Sequence, residues 1–291
     1  MLKKLVLLSA FVSLVQSVVA QDSSLISLLN DSAQTSNMHV TGTFKATQIV
    51  NMPTVESPAK NSLQFMIMHR FGRLNEGGYE LFGLDNAVIR FALDYGLTDR
   101  LDIGIGRSSH EKVFDASLKY KLLRQKEKGT PVSVSIYGLA ANTRLRYSDK
   151  SYLNTKYRTM YATQLLVARK FNPKLSLQVS PTWLHFNLVP TPQDKNDVFA
   201  VGIGGRMKLT KRMSLNAEYT VLPSDQVVTT KVNPTLSAGL DLETGGHVFQ
   251  LIFSNSVGMV APYYIAKTTG TWGKGDLYFG FNITRLFNLK K

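Results

Sequence analysis

Five histidines, His39, His69, His110, His185 and His247, are the side chains best suited to bind a metal or move a proton at neutral pH. They fall in five separate segments, and none forms the HxxxH or HExxH spacing that puts two zinc ligands on one helical face. Ser109 adjoins His110, and Asn255 adjoins Ser256 in another loop, which supplies the residue types of a hydrolase at a membrane rim. Neighbours in a strand or turn point apart, however, so adjacency alone does not place a base on a nucleophile. The stretch "GIGGR" at 202–206 resembles a phosphate-binding glycine loop, but no helix follows it to receive the phosphate. Cysteine is absent, which excludes disulfides, thiolate metal sites and a cysteine nucleophile. The expectation is no enzyme, no metal and no cofactor.

The elements carrying these residues are strands. In "FALDYGLTDRLDIGIGRSS" (91–109), Phe91, Leu93, Tyr95 and Leu97 alternate with Ala92, Asp94 and Gly96. After a tight turn, Leu101, Ile103 and Ile105 alternate with Asp102, Gly104 and Gly106. Period-two alternation gives each strand one apolar and one polar face. The pattern recurs near 62–71, 88–97, 101–107, 113–122, 132–145, 157–170, 174–186, 197–210, 213–222, 235–242, 247–255 and 275–286. That predicts about twelve strands and no amphipathic helix. Short turns at "LTDR", "FNPK", "LTKR" and "ETGG", with a somewhat longer basic one at "RQKEKGTP", alternate with longer links at 72–87, 108–112, 146–156, 187–196, 223–234 and 256–274. Short and long links in alternation, with an even strand count, are the mark of an outer-membrane barrel whose short turns face the periplasm.

The two faces need different surroundings. Phe199, Val201, Ile203, Met207 and Leu209 oppose Ala200, Gly202, Gly204, Arg206 and Lys208. Summed over about twelve strands, the apolar faces are too extensive for one soluble core, and the others are too polar for a second. Against acyl chains the apolar face is satisfied and the polar face lines a lumen, while closure pairs every backbone group. The fold class is therefore all-β: a closed antiparallel transmembrane barrel. Alternation turns Arg70, Arg90, Lys119, Lys121, Arg206 and Lys208 inward, with Asp94, Asp102, Asp115, Glu218, Asp241 and Asp276. These signs nearly balance, as in a network of ion pairs that stiffens the wall or a polar path of mixed selectivity. Arg70 and Asp276, near the ends of the first and last strands, are expected to pair across the seam. Inward glycines leave space that either water or an inserted segment could occupy.

The chain has 291 residues and a formal charge of +14. Its Lys and Arg are dispersed over strand ends and turns, with no basic helix or RNA-binding signature, so nucleic acid is not an expected partner. Arg100, Arg124, Lys126, Lys128, Lys174, Lys211, Arg212, Lys290 and Lys291 fall at the turn ends, where anionic headgroups would attract them. "MLKKLVLLSAFVSLVQSVVA" has the basic start, apolar centre and small-residue end of a signal peptide, residues 1–20, cut after Ala20. Residues 21–60 form an N-terminal periplasmic segment, strand-like at 40–50, that could lead in to the barrel or plug it. Residues 61–291 form the barrel. The expected partners are membrane lipid, the machinery that inserts outer-membrane barrels, and a candidate periplasmic protein.

Seven stretches resemble a known family: "HRFG" (69–72), "YELFGLD" (79–85), "DYGLTDRLDIGIGRSS", "LVARKF" (166–171), "GGRMKLTKRMSLNAEY", "ETGGHVFQLIFSNSVGM" and "WGKGDLYFGFNITRLF". Together they look like a β-barrel family of unknown function in Bacteroidota outer membranes, domain-of-unknown-function family 5777, over about residues 45–288. The resemblance implies a barrel and a location, and no activity or site residue comes with it. The leading expectation is a passive channel or small-solute transporter. The alternative is a non-conducting structural or assembly barrel that presents its loops or periplasmic rim to a partner. A rim-located lipid hydrolase is the most distant reading.

Overall fold

A computed structural model describes residues 38–146 and 148–289. The expected signal peptide, residues 21–37 of the lead-in, and Lys290 and Lys291 lie outside the described residues. Alternation becomes twelve strands: β1 (Ser62–Arg73), β2 (Ala87–Gly96), β3 (Leu101–Ser108), β4 (Phe114–Leu123), β5 (Ser133–Asn142) and β6 (Thr159–Lys170), then β7 (Leu175–Phe186), β8 (Asp197–Lys208), β9 (Met213–Val221), β10 (Thr235–Thr244), β11 (His247–Ser254) and β12 (Tyr278–Asn288). Each pairs with its sequence neighbours, and β1 pairs antiparallel with β12 to close the barrel. The seam registers Met68 against Asn282 and Arg70 against Gly280, with a bulge between Arg70 and Arg73. Closure leaves no free sheet edge, the condition for strands to stand in hydrocarbon.

Outward side chains are apolar and uncovered by protein. Ile105, Phe114, Phe199 and Ile203 are each more than half exposed. Such a belt all the way round a barrel is stable against acyl chains and not against water. Where basic side chains come outward at the strand ends they lie on aromatic rings, Arg169 over Phe171 at 5.1 Å and Arg285 over Phe287 at 4.8 Å.

Three local expectations are corrected. Residues 40–50 form no strand; they enter the lumen as turns, with one isolated bridge between Gln48 and Pro53. β12 starts at Tyr278 rather than 275, because Gly275 takes φ 72° and ends a 3-10 turn over Trp272–Lys274. The link after β11 contains a helix, α1 (Ala261–Ala266), whose six residues are all buried. It is one turn and a half long, too short for a helical period to show against the surrounding pattern.

The core of this molecule is its lumen. One sector, on β5 to β8, is largely apolar, with Leu139, Met160, Leu166, Leu184 and Val198 buried there. The opposite sector is polar and includes Arg70, Glu218, Asp241, Gln250 and Asn282, all buried. What fills the space between them is the chain itself.

Candidate functional site

Segment 43–58 occupies the lumen from the short-turn end. Its centre is a tight hairpin, in which the Thr54 N–H donates to the Thr47 carbonyl at 2.8 Å and the Ile49 N–H to the Met52 carbonyl at 2.9 Å. At the tip, the amides of Val50, Asn51 and Met52 converge on the Glu218 carboxylate of β9 at 2.9–3.0 Å. Successive N–H groups aimed at one anion form a backbone nest, here filled by the protein's own side chain. The Asn51 amide completes the hold: its Oδ1 accepts from Arg70 Nη2 at 2.9 Å and its Nδ2 donates to Ser237 Oγ at 3.1 Å.

Neutral amides of the wall take the hairpin's carbonyls. Gln250 donates to Ile49 O at 2.9 Å, Asn282 to Val50 O at 3.0 Å and Gln178 to Pro53 O at 2.7 Å. Gln178 also accepts from the Val55 N–H at 3.1 Å. Opposite, Phe44, Ile49, Met52 and Val55 pack into the apolar sector. The segment is thus amphipathic in the same sense as the wall around it. Near its exit, Lys119 donates to Glu56 O, Lys170 donates to Thr41 O at 2.9 Å, and Lys45 pairs with Glu243 at 2.9 Å. Gly96 is needed there, because a Cβ at that position would lie 2.1 Å from the Ala59 carbonyl oxygen, a rigid backbone atom.

The predicted lumen residues divide by role. Arg90 and Asp115 make a buried two-contact pair at 2.6 and 3.1 Å. Lys119 lies 3.9 Å from Asp102, and Arg206 pairs with Glu243 at 2.9 Å, a carboxylate that inward charge counting had not singled out. Asp94 accepts from Gln64 at 3.2 Å, and Asp241 from Gln250 at 2.9 Å. Lys121 and Lys208 are half-buried near the short-turn end, where Lys121 lines a cavity of about 270 Å³ with Glu56 and Arg124. Arg70 is fully buried, donating to Asn282 at 2.9 Å and to the His69 carbonyl at 2.8 Å as well as to Asn51.

Asp276 departs from the expected seam pair. It precedes β12, where Asn75 donates to it at 2.8 Å and the Thr271 N–H at 3.0 Å, while Arg73, not Arg70, lies 3.6 Å away. The displaced start of β12 and the bulge after Arg70 together account for the change. Hydrogen bonds from Asn75 and Thr271 hold the Asp276 carboxyl below the usual carboxylate range. The inward amides Gln64, Gln178, Gln250 and Asn282 were missed; their signal was their place on the polar phase of each strand, which a search for charges passes over.

The loop end is closed by α1. The Tyr264 carbonyl accepts from Thr235 and from Thr268, the latter at 2.9 Å, and Tyr263 donates to Glu111 at 2.9 Å. Above α1 opens a cavity of about 680 Å³ between the loops 143–158, 187–196 and 222–234. Asp194 ties two of these loops together, accepting from the amides of Val228 at 2.8 Å and Thr229 at 3.0 Å and from the hydroxyls of Thr191 and Thr229. The Thr229 contacts hold its carboxyl well below the ordinary range.

Of the residues considered for a rim hydrolase, His110, Asn255 and Ser256 line one small cavity at the loop end, with the polar groups of Asn255 and Ser256 engaged by other partners. The Ser109 hydroxyl accepts from the Ile89 N–H, and the Ser256 hydroxyl accepts from Thr268 and from the Gly258 N–H. His110 meets the edge of Tyr263 at 5.4 Å, and burial pushes its imidazole below the usual value. His69 stacks on Phe281 at 4.8 Å, His247 on Phe249 at 5.8 Å, and His185 bonds Asp197 at 2.8 Å. In "GIGGR", Gly202 and Gly204 face the lumen against Met52 and Ile49, while Ile203 points outward.

The model of the membrane-bound β-barrel domain DUF5777 matches residues 44–287. The chain belongs to that family. The match begins inside the inserted segment, so the family domain takes in both the wall and most of what fills it. No curated protein matches the sequence. Among solved structures, the NanC porin is similar at 8% identity over 77% of this chain and 98% of its own, with a TM-score of 0.48. The KdgM porin is similar at 7% identity over 78% and 99%, with a TM-score of 0.46. An outer membrane channel from Pseudomonas putida F1 is similar at 12% identity over 80% and 97%, with a TM-score of 0.47. Likenesses this distant carry no inference about activity. What stands is a membrane-bound DUF5777 barrel of twelve strands with its own chain in the lumen.

Proposed function

We propose that this barrel resides in an outer membrane, is closed at rest, and passes small solutes when segment 43–58 gives way. The observation behind this reading is the chemistry of the plug–wall contact. On the β9–β12 and β1 side the hairpin tip is held by Glu218, Gln250, Asn282 and Arg70, groups that water can satisfy equally well. If the segment leaves, that wall becomes a wetted polar surface and strands no buried dry donors. A lumen meant only to be filled has no need of a hydratable wall. An open passive pore at rest does not fit the occupied lumen.

The second reading is a permanently filled, structural barrel, favoured by Phe44, Ile49, Met52 and Val55 in the apolar sector. Planar-bilayer recording of the full chain separates the two. The gated reading expects a quiet wild type and frequent openings in Glu218→Lys, which sets a cation against three amide dipoles, with fewer in Glu218→Gln. Silence in both variants, with heat-dependent gel mobility intact, would favour the permanent plug. Steady current through the wild type would overturn closure itself.

A further inference from the structure

The loop-end cavity is lined by no residue of segment 43–58. It shares no lining residue with the turn-end cavity, and its floor is Met160 of β6, Phe186 of β7 and Ala266 of α1. Val189 and Val227 form apolar walls on two different loops. Its volume, about 680 Å³, falls within the range of sites that bury a drug-sized ligand. The lining also carries four cations, Lys150, Arg158, Lys195 and Lys267, against two carboxylates, Glu111 and Asp194. Both carboxylates are engaged within the protein, Asp194 in knitting its loops and Glu111 by Tyr263 and by Lys267 at 3.5 Å. Lys195 pairs at 2.5 Å with Asp225, an exposed carboxylate that a bound anion would have to displace. Arg158 is oriented by the carbonyls of Leu153 and Leu145. Apolar depth and a cationic rim therefore face one space.

We propose that this vestibule binds a free amphiphile carrying one carboxylate and an apolar body the size of a long-chain fatty acid. The acyl or aromatic body lies on Met160, Phe186, Val189 and Val227, and the carboxylate meets the lysines at the rim. A neutral solute of the same size gains the apolar contact without the charge. A polar sugar finds hydrogen-bonding side chains such as Thr143, Tyr152, Tyr157 and Thr230 in the lining, but none on the floor of Met160, Phe186 and Ala266, so it forgoes the apolar contact. No residue of segment 43–58 lines the site, so the proposal goes beyond the closed-barrel reading.

The probe is dansylaminoundecanoic acid, titrated into the full chain in lipid nanodiscs with empty nanodiscs as the blank, alongside its uncharged methyl ester. The proposal expects saturable blue-shifted fluorescence above the blank, with the ester about tenfold weaker, the equivalent of one charge contact. Val189→Trp and Val227→Trp, which fill the cavity, should each abolish saturable binding. Lys195→Gln combined with Lys267→Gln should bring the acid down to the level of the ester. Heat-dependent gel mobility checks that each variant is folded. No saturable signal above empty nanodiscs, or equal binding of acid and ester, would overturn the proposal. Binding that survives both tryptophan substitutions in folded protein would place the amphiphile elsewhere and overturn it too.

Discussion

Glu218 holds the backbone of Asn51, a residue 167 positions earlier in the chain, through both of its carboxylate oxygens at 2.9 and 3.0 Å. With the flanking amides of Val50 and Met52 this makes a charge-assisted cluster, each bond roughly twice as strong as a neutral one. Replacing Glu218 by Ala leaves three buried amides without an acceptor, at a cost of about 1–3 kcal/mol each if water cannot reach them. The expected result is loss of hydrogen-exchange protection at residues 50–52 before any loss at the strands. Glu218→Gln keeps an acceptor and should lose less. Unchanged protection in Glu218→Ala would mean that the nest does not hold the hairpin.

Arg70 and Asp276 are expected to be energetically independent. Arg70→Glu should lower the unfolding midpoint, because it sets an acid beside Asn51 and Asn282 and leaves their oxygens without a donor. Adding Asp276→Arg should give an additive loss. By contrast, Arg70→Met with Asn51→Leu should be less harmful than the sum of the two, since the pair leaves the interior together. Rescue of Arg70→Glu by Asp276→Arg would restore the seam pairing and refute the register observed here.

Arg90 and Asp115 form a nearly dry pair, with side chains 5% and 1% exposed. Breaking such a pair from one side costs about 3–5 kcal/mol, whereas replacing both members with apolar groups can be neutral. Asp115→Ala is therefore expected to lower barrel stability by that amount in urea titrations. Arg90→Met with Asp115→Leu should recover most of it. A double variant as unstable as Asp115→Ala would show that the neighbouring polar groups need the charges as well.

Asp194 should make the order of the vestibule loops depend on acid. Its carboxyl is depressed below its reference value of 3.8, so its contribution is complete above that value and fades as pH falls below it. A spin label at Val228 should stay ordered from neutral pH down to about pH 4 and become mobile on further acidification. Asp194→Asn should be mobile throughout, because an amide group cannot accept all the donors that Asp194 does. A label insensitive to pH in the unsubstituted chain would count against the knot.

Much of the wall was legible in the sequence, because period two is a strict constraint: each of the twelve strands has one phase that only hydrocarbon tolerates. Arg90, Asp115, Arg206 and Glu218 were placed inward by that rule alone, and each is buried. The contents of the lumen were less legible. Segment 40–50 is strand-like in sequence yet forms no ladder: the carbonyls of Ile49 and Val50 meet the amides of Gln250 and Asn282, while the side chains of Phe44 and Ile49 pack in the apolar sector. The partners of Arg70 and Asp276 depended on a bulge and on a glycine with φ 72°, neither of which has a hydropathy signal. The vestibule depends on three loops converging in space, and sequence spacing is silent on that.

A filled lumen requires the hairpin tip to sit against the inner wall in a membrane. Asn51 Nδ2 and Ser237 Oγ are 3.1 Å apart, and the native chain has no cysteine to interfere. The Asn51→Cys/Ser237→Cys protein, oxidised or treated with a short bifunctional reagent in intact membranes, should yield an intramolecular cross-link that closes a large loop and shifts gel mobility. The reduced form should resist a bulky hydrophilic maleimide until it is unfolded. Prompt labelling of both positions in the folded barrel, with no cross-link, would contradict a filled lumen.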